Sequence, residues 1–382
     1  MKRMKRMIWC GDAAVDSGFA RCTHKILDVT KETWDVAVLG LNYQGDPHGY
    51  PYYIFPCWPG GDAFGLNRLV ELCEKISPDL IVVQNDPWNV PAYLQRAGNV
   101  PVVAIMPVDG KNCKGREING LTTAIFWTEF GKLEAQRGGY TGETKVIPLG
   151  VDTDVYRFIP DSRKKLGLPS RLKDSFIVGN VNRNQPRKRL DLTIDYFCEW
   201  VKNYDVDDAY LFLHVAPTGD VGYDVSQLMY YYGLSNRLII VEPPVNKGVN
   251  QKTLAATYSC FDVQLSTTQG EGWGLTTMEG MSCSVPQIVP NWSALGEWAK
   301  DAAVLIPCTT NAVTPNNINI IGGIPDKHET IKALNGLYQD KEKRFECGKR
   351  GFDLVTNEKF RWENIGQQFT DVFNSINRRS VR

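Results

Sequence analysis

The chain has 382 residues, 43% apolar and 11% aromatic, and its 43 lysines and arginines balance 43 aspartates and glutamates. That length and apolar content suit two domains, each with its own core. Zero net charge excludes a general electrostatic draw toward nucleic acid or membrane, and no run of about twenty apolar residues is present to span a bilayer.

Ten cysteines, at 10, 22, 57, 73, 113, 198, 260, 283, 308 and 347, include no Cys-x2-Cys pair. That pattern predicts buried thiols in a reducing cytoplasm, not a zinc site or a disulfide framework. The basic start, Lys2-Arg3-x-Lys5-Arg6, lacks the apolar stretch of a signal peptide. A soluble cytoplasmic protein is expected.

In chain order, β-rich runs at 7–10, 34–39, 80–84, 100–106, 123–127 and 145–148 alternate with helical stretches at 20–27, 65–76 and 91–97. Such alternation predicts a parallel, doubly wound sheet. A second series follows, with strands at 176–180, 210–215, 238–242, 263–266, 287–290 and 303–306. Its helical patterns fall at 190–204, 328–337 and 341–352, and an amphipathic tail at 362–376 closes the chain. The stretch 308–325, rich in Asn, Thr and Gly, predicts a loop.

The most informative segment follows the run 261–266. It reads Glu271-Gly-Trp-Gly-Leu-Thr-Thr-Met-Glu279 and continues into Gly-Met-Ser-Cys-Ser-Val-Pro. A strand, a glycine turn and a helix N-terminus offer backbone N–H groups and a helix dipole to an anion. The two carboxylates, eight positions apart, can grip either end of a ligand that carries hydroxyls as well as charge, such as a nucleotide sugar. A second feature, Arg183 and Lys188, lies just past the strand at 176–180. Fixed cations at a leaving diphosphate stabilise charge as it develops, without reorganising.

These residues together resemble the family-4 retaining glycosyltransferases. The resemblance implies an α/β chain of the GT-B fold: two Rossmann-like doubly wound domains with a cleft between them. The run Pro148-Leu-Gly-Val-Asp-Thr-Asp-Val-Tyr156 stands where the family's hinge lies. The domains expected are an acceptor-side domain at 1–155, joined by a returning C-terminal helix at about 362–382, and a nucleotide-sugar-binding domain at 156–361.

Site roles follow from the same resemblance. Arg183 and Lys188 would meet the diphosphate, Glu279 the ribose and Glu271 the transferred sugar, with Gly272, Trp273, Gly274, Leu275 and Thr276 forming the turn around the donor. Arg187 and Arg189 are extra cations, either solvated or in contact with an anionic acceptor. Pro244 and Val245 stand where the family sandwiches the nucleobase. In the first half, Asp16, Ser17 and Gly18 resemble the glycine loop over the donor phosphate, with Asp16 on the acceptor side. Asp109 and Asp86 follow the strands at 100–106 and 80–84, where ligands bind in open α/β sheets. Asp109 is the catalytic candidate and Asp86 an acceptor-side one.

Asp152-Thr153-Asp154 spells a metal-binding pattern but lies inside the hinge run and is expected to form a turn. Histidines 24, 48, 214 and 328 are scattered without ligand spacing. The resemblance implies a metal-independent, front-face transfer that retains anomeric configuration and uses no cofactor beyond the nucleotide-sugar donor.

The acceptor is a hydroxyl. The opening resembles glycosyltransferases of bacteriophages and bacteria, and basic clusters stand at Lys2 to Arg6 and at Arg378, Arg379 and Arg382. Together these raise a hydroxymethylated base in phage DNA within the host cytoplasm. The same chemistry on a glycan, lipid or small molecule is the alternative, and a non-transferring epimerase or sugar-nucleotide-binding protein is a third reading.

Overall fold

The computed structural model describes residues 3–15, 17–58, 61–215, 222–241, 249–315 and 317–376. The chain divides into two compact units. Met1–Val108, Asn112–Gly150 and Lys359–Arg382 form the first; Asp109–Lys111 and Val151–Glu358 form the second. Asp109, which the sequence assigned to the first domain, thus counts with the second. The reason is local: the backbones of Lys111 and Ile321 exchange hydrogen bonds at 2.9 and 3.0 Å.

The first unit is built on seven strands: β1 (Lys5–Gly11), β2 (Trp34–Gly40), β3 (Tyr53–Pro56), β4 (Leu80–Gln84), β5 (Val102–Met106), β6 (Thr123–Phe126) and β7 (Thr144–Val146). All pairings are parallel, in the order β3-β2-β1-β4-β5-β6-β7. β4 and β5, Leu-Ile-Val-Val-Gln and Val-Val-Ala-Ile-Met, are buried at every residue. Strands covered on both faces need such unbroken apolar runs.

The helices of this unit begin with α1 (Gly18–Thr30), α2 (Leu66–Ile76), α3 (Val90–Leu94) and α4 (Glu129–Arg137). α2 turns Leu69 and Leu72 into the core, the spacing of one helical face. Two starts are capped by hydroxyls, which accept hydrogen bonds from otherwise unsatisfied N–H groups. Ser17 Oγ accepts from Ala20 N, and Thr128 Oγ1 from Gly131 N.

The second unit carries α5 (Ser162–Lys165), β8 (Phe176–Val181), α6 (Leu190–Asn203), β9 (Ala209–His214), α7 (Val225–Tyr231), β10 (Leu238–Val241), α8 (Gln251–Tyr258) and β11 (Val263–Leu265). It continues through α9 (Leu275–Ser282), β12 (Gln287–Pro290), α10 (Ser293–Trp298) and β13 (Val304–Ile306). Its six-stranded parallel sheet runs β10-β9-β8-β11-β12-β13. α6 buries Leu190, Ile194, Phe197 and Val201 against Val178, Leu211, Leu213 and Val263.

The stretch at 308–325, expected to be a loop, instead forms an antiparallel hairpin of β14 (Cys308–Val313) and β15 (Ile321–Pro325). After α11 (Lys327–Gln339) and α12 (Lys341–Val355), the chain returns to the first unit with α13 (Trp362–Ser375). There Thr370 Oγ1 meets Thr30 Oγ1 at 3.0 Å, Trp34 Nε1 donates to Asn374 Oδ1 at 2.8 Å, and Phe373 meets the edge of Trp9.

In each sheet the strand order reverses once, between β1 and β4 and between β8 and β11. Ligands of open α/β sheets bind beyond the carboxyl ends of the strands at such a reversal. Both sheets are Rossmann-like by this measure.

Candidate functional site

In the second unit, the loops leaving β8 and β11 lie at that reversal and are bonded to each other. Gln269 N donates to the Arg187 carbonyl at 2.9 Å, and Thr267 Oγ1 to the Arg189 carbonyl at 2.7 Å. The turn into α9 needs its glycines. Gly274 stands at the helix start with φ +93°, a conformation that a side chain strains. A Cβ on Gly270 would lie 1.9 Å from the carbonyl oxygen of Asp109. No side chain caps α9, so its first-turn N–H groups face the turn with the positive end of the helix dipole.

Glu271 is the centre of the site. Its backbone N donates to Ser293 Oγ at 3.0 Å, and its buried carboxylate receives Lys188 Nζ at 2.5 Å on Oε1 and Arg187 Nη1 at 3.3 Å on Oε2. Arg187 also donates through Nη1 to the Gly270 carbonyl at 2.5 Å and forms an ion pair with Asp109, its Nε 3.1 Å from Oδ2. The nearby backbone N–H of Gly272 also favours the charged Asp109 carboxylate.

Burial alone would push the Glu271 carboxyl up, but Lys188 and Arg187 at contact distance outweigh it and hold it below the usual glutamate value. Burial depresses the Lys188 ammonium despite Glu271, and Arg187 adds to the depression. For Asp109 burial wins over Arg187, and its carboxyl lies above the usual aspartate value.

Eight positions on, Glu279 is buried in α9 and accepts at Oε2 from the Tyr258 hydroxyl at 2.7 Å. Thr276 is half-buried, with its carbonyl accepting from Gln264 Nε2. The Trp273 ring does not line the turn. It is buried and stacked on Trp298, with centroids 5.2 Å apart and planes at 16°, and Trp298 Nε1 donates to its carbonyl at 2.7 Å.

The structure therefore brings together Lys188, Glu271 and Asp109, three residues singled out from the sequence. It adds Arg187, read from the sequence as an extra cation. Arg183, expected to act with Lys188, is exposed and is not the arginine on Glu271; Arg187 is. Arg189 clasps Asp191 at the start of α6, with its Nη2 2.8 Å from Oδ2. No local signal in the chain pairs Arg187 with Glu271, because its partners lie 83 and 84 positions away.

The first-unit candidates have local roles. Ser17 caps α1 and donates to Asp12 Oδ2 at 2.7 Å, with Gly18 opening the helix behind it. Asp86 is half-buried after β4, its N–H donating to Asn85 Oδ1. Asp16, Pro244 and Val245 lie outside the described residues, as do Lys2, Arg378, Arg379 and Arg382. Of the described basic residues near the N-terminus, Arg3 pairs with Asp79 at 3.1 Å and Lys5 Nζ donates to the Ile376 carbonyl at 3.0 Å. Asp152 Oδ1 accepts from Val155 N, the turn expected of that run.

Among the described residues, no helix is long and apolar enough to cross a membrane, and no group of three or more His, Cys, Asp or Glu could hold a metal ion.

No family model matches the chain. Over 182 residues it is 24% identical to the D-inositol 3-phosphate glycosyltransferase of Acidothermus cellulolyticus, a match that covers 46% of this chain and 39% of that protein. Sucrose-phosphate synthase from Thermosynechococcus elongatus superposes with a TM-score of 0.75 at 18% identity, covering 97% of this chain and 98% of that one. Anabaena HepE in complex with UDP-glucose gives 0.74 at 18%, covering 98% and 100%. With two Rossmann-like parallel sheets and these neighbours, the chain has the GT-B fold of the glycosyltransferases it is similar to.

Proposed function

We propose that the chain is a retaining glycosyltransferase that moves a sugar from a nucleoside-diphosphate sugar to a hydroxyl acceptor. The observation that carries this reading is the buried meeting of Lys188, Arg187 and Glu271 at the uncapped start of α9, the helix that also buries Glu279. Two cations and a helix dipole suit a leaving diphosphate. Two carboxylates, one on each side of the turn, suit the hydroxyls of a sugar and of a ribose. The likeness to HepE in complex with UDP-glucose makes UDP-glucose the first donor to test.

In the reaction the bond from the anomeric carbon to the phosphate oxygen breaks, and the acceptor oxygen bonds to the same face of that carbon. The acceptor proton passes to the departing phosphate. Lys188 and Arg187 stabilise the negative charge that grows there, the electrostatic role a divalent cation would otherwise fill, so the transfer is metal-independent. Glu271 positions the transferred sugar; no second carboxylate is required as a general base. Ten free cysteines support a cytoplasmic setting.

Of the acceptors raised by the sequence, an uncharged hydroxyl compound is favoured over DNA. The basic residues near the N-terminus are partly engaged within the fold, and the chain has no net charge with which to gather phosphates. The experiment is turnover of UDP-, ADP- and GDP-sugars followed by nucleotide release. Release with one donor, abolished in Glu271→Ala, supports the reading. Absence of release and of thermal stabilisation by every donor defeats it.

A further inference from the structure

The first unit holds a concavity of its own. Ala14, just beyond the carboxyl end of β1, and Tyr43, just beyond that of β2, line a cavity of about 450 Å³ together with Asp46, Pro47, His48 and Tyr50. Between β2 and β3 the chain carries neither helix nor strand from 41 to 52, yet rings order it. His24 of α1 stacks on Tyr50 with centroids 3.7 Å apart and planes at 13°. Tyr50 and Tyr52 lie near-parallel at 6.2 Å, and His48 meets Tyr50 at 5.8 Å and Tyr43 at 6.1 Å.

The base of this cluster is fixed. His24 Nε2 donates to the Ala13 carbonyl at 2.6 Å, and Nδ1 accepts from the Tyr52 hydroxyl. Burial lowers the His24 pKa and so disfavours the charged ring. The Tyr43 hydroxyl donates to the Asp46 carbonyl and ties the loop to itself. On this support Tyr50 remains 42% exposed, with Asp46 and His48 exposed beside it.

A held aromatic face with a carboxylate and an imidazole at its rim is complementary to a ring that is apolar on one face and hydroxylated at its edge. A pyranose has both: its C–H face lies on the tyrosine, and its hydroxyls donate to the carboxylate. The residues lining the cavity include one carboxylate and no lysine or arginine, the wrong charge for a phosphate-bearing chain. We infer that this pocket is the acceptor subsite and that it takes an uncharged saccharide. The inference rests on the transferase reading above and names the acceptor class for it.

The test uses the full chain and saturation-transfer NMR. The probes are methyl glycosides of glucose, galactose, mannose and N-acetylglucosamine, with maltose and cellobiose, set against a DNA duplex bearing 5-hydroxymethylcytosine. At least one saccharide should bind, and its affinity should weaken about tenfold or more in Tyr50→Ala and in the rim variant Asp46→Asn. The thermal shift produced by UDP-glucose should persist in both. The pocket assignment is overturned if no saccharide of the panel binds, if binding survives both substitutions, or if the duplex binds here instead. Loss of nucleotide-sugar binding in the wild-type chain is a separate result and counts against the transferase reading itself.

Discussion

Lys188 Nζ lies 2.5 Å from Glu271 Oε1, with the lysine side chain 12% and the glutamate side chain 10% exposed. Residues 83 positions apart thus form one buried ion pair, which Arg187 and Asp109 extend into a chain of four charges. Removing one member of such a pair leaves an uncompensated charge, a loss of about 3–5 kcal/mol. Lys188→Met should therefore unfold at clearly lower urea concentration than wild type. Lys188→Met combined with Glu271→Leu should lose less than the sum of the two single substitutions. Simple additivity would mean that the pair is not coupled.

The same pair sets a pH dependence. The Glu271 carboxyl is held below its ordinary value of 4.5 by the two cations. In the unfolded chain it takes up a proton first as pH falls, so its contribution is full above 4.5 and is lost as pH drops through the lower folded value. The stability difference between wild type and Glu271→Gln should be constant from neutral pH to about 5 and shrink below that. A difference that grows on acidification contradicts the assignment.

Arg187 and Arg183 separate by kind of effect. Arg187→Ala strips Glu271 and the Gly270 carbonyl of a donor and Asp109 of its cation and should cost about 2–4 kcal/mol of stability together with donor turnover. The exposed Arg183 should tolerate alanine within about 1 kcal/mol. If the family resemblance carries over, that variant raises KM for the donor. Thermal melts and donor kinetics on both variants read the two effects apart.

Trp298 supports the turn from behind. Trp298→Ala removes a stacked ring and the hydrogen bond to the Trp273 carbonyl. A loss of about 2–4 kcal/mol is expected, with KM for the nucleotide sugar rising more than kcat falls, because the backbone that faces the ligand loses its backing. Trp298→Phe should recover part of both.

The parts of the fold that could be read in the sequence are those whose signal is local. β4 and β5 announce themselves as apolar runs covered on both faces, and the turn at Glu271 to Glu279 keeps strand, glycines and helix within one short stretch. β3, Tyr-Ile-Phe-Pro, went unread because it is a four-residue edge strand ending in proline. The hairpin of β14 and β15 gives no such signal, because its Asn-, Thr- and Gly-rich strands have exposed residues and lie outside both parallel sheets. At the site, Lys188 and Glu271 were legible as chemistry. The pairing of Arg187 with Glu271 was not, since it depends on how two loops meet beyond the strand ends.

The contact of Lys5 with Ile376, and of Trp34 with Asn374, has a consequence for biosynthesis. The opening strands emerge from the ribosome first, yet the helix that covers Trp9 and Thr30 is translated after the whole of the second unit. The opening strands must wait, incompletely covered, until the residues of the second unit have been made.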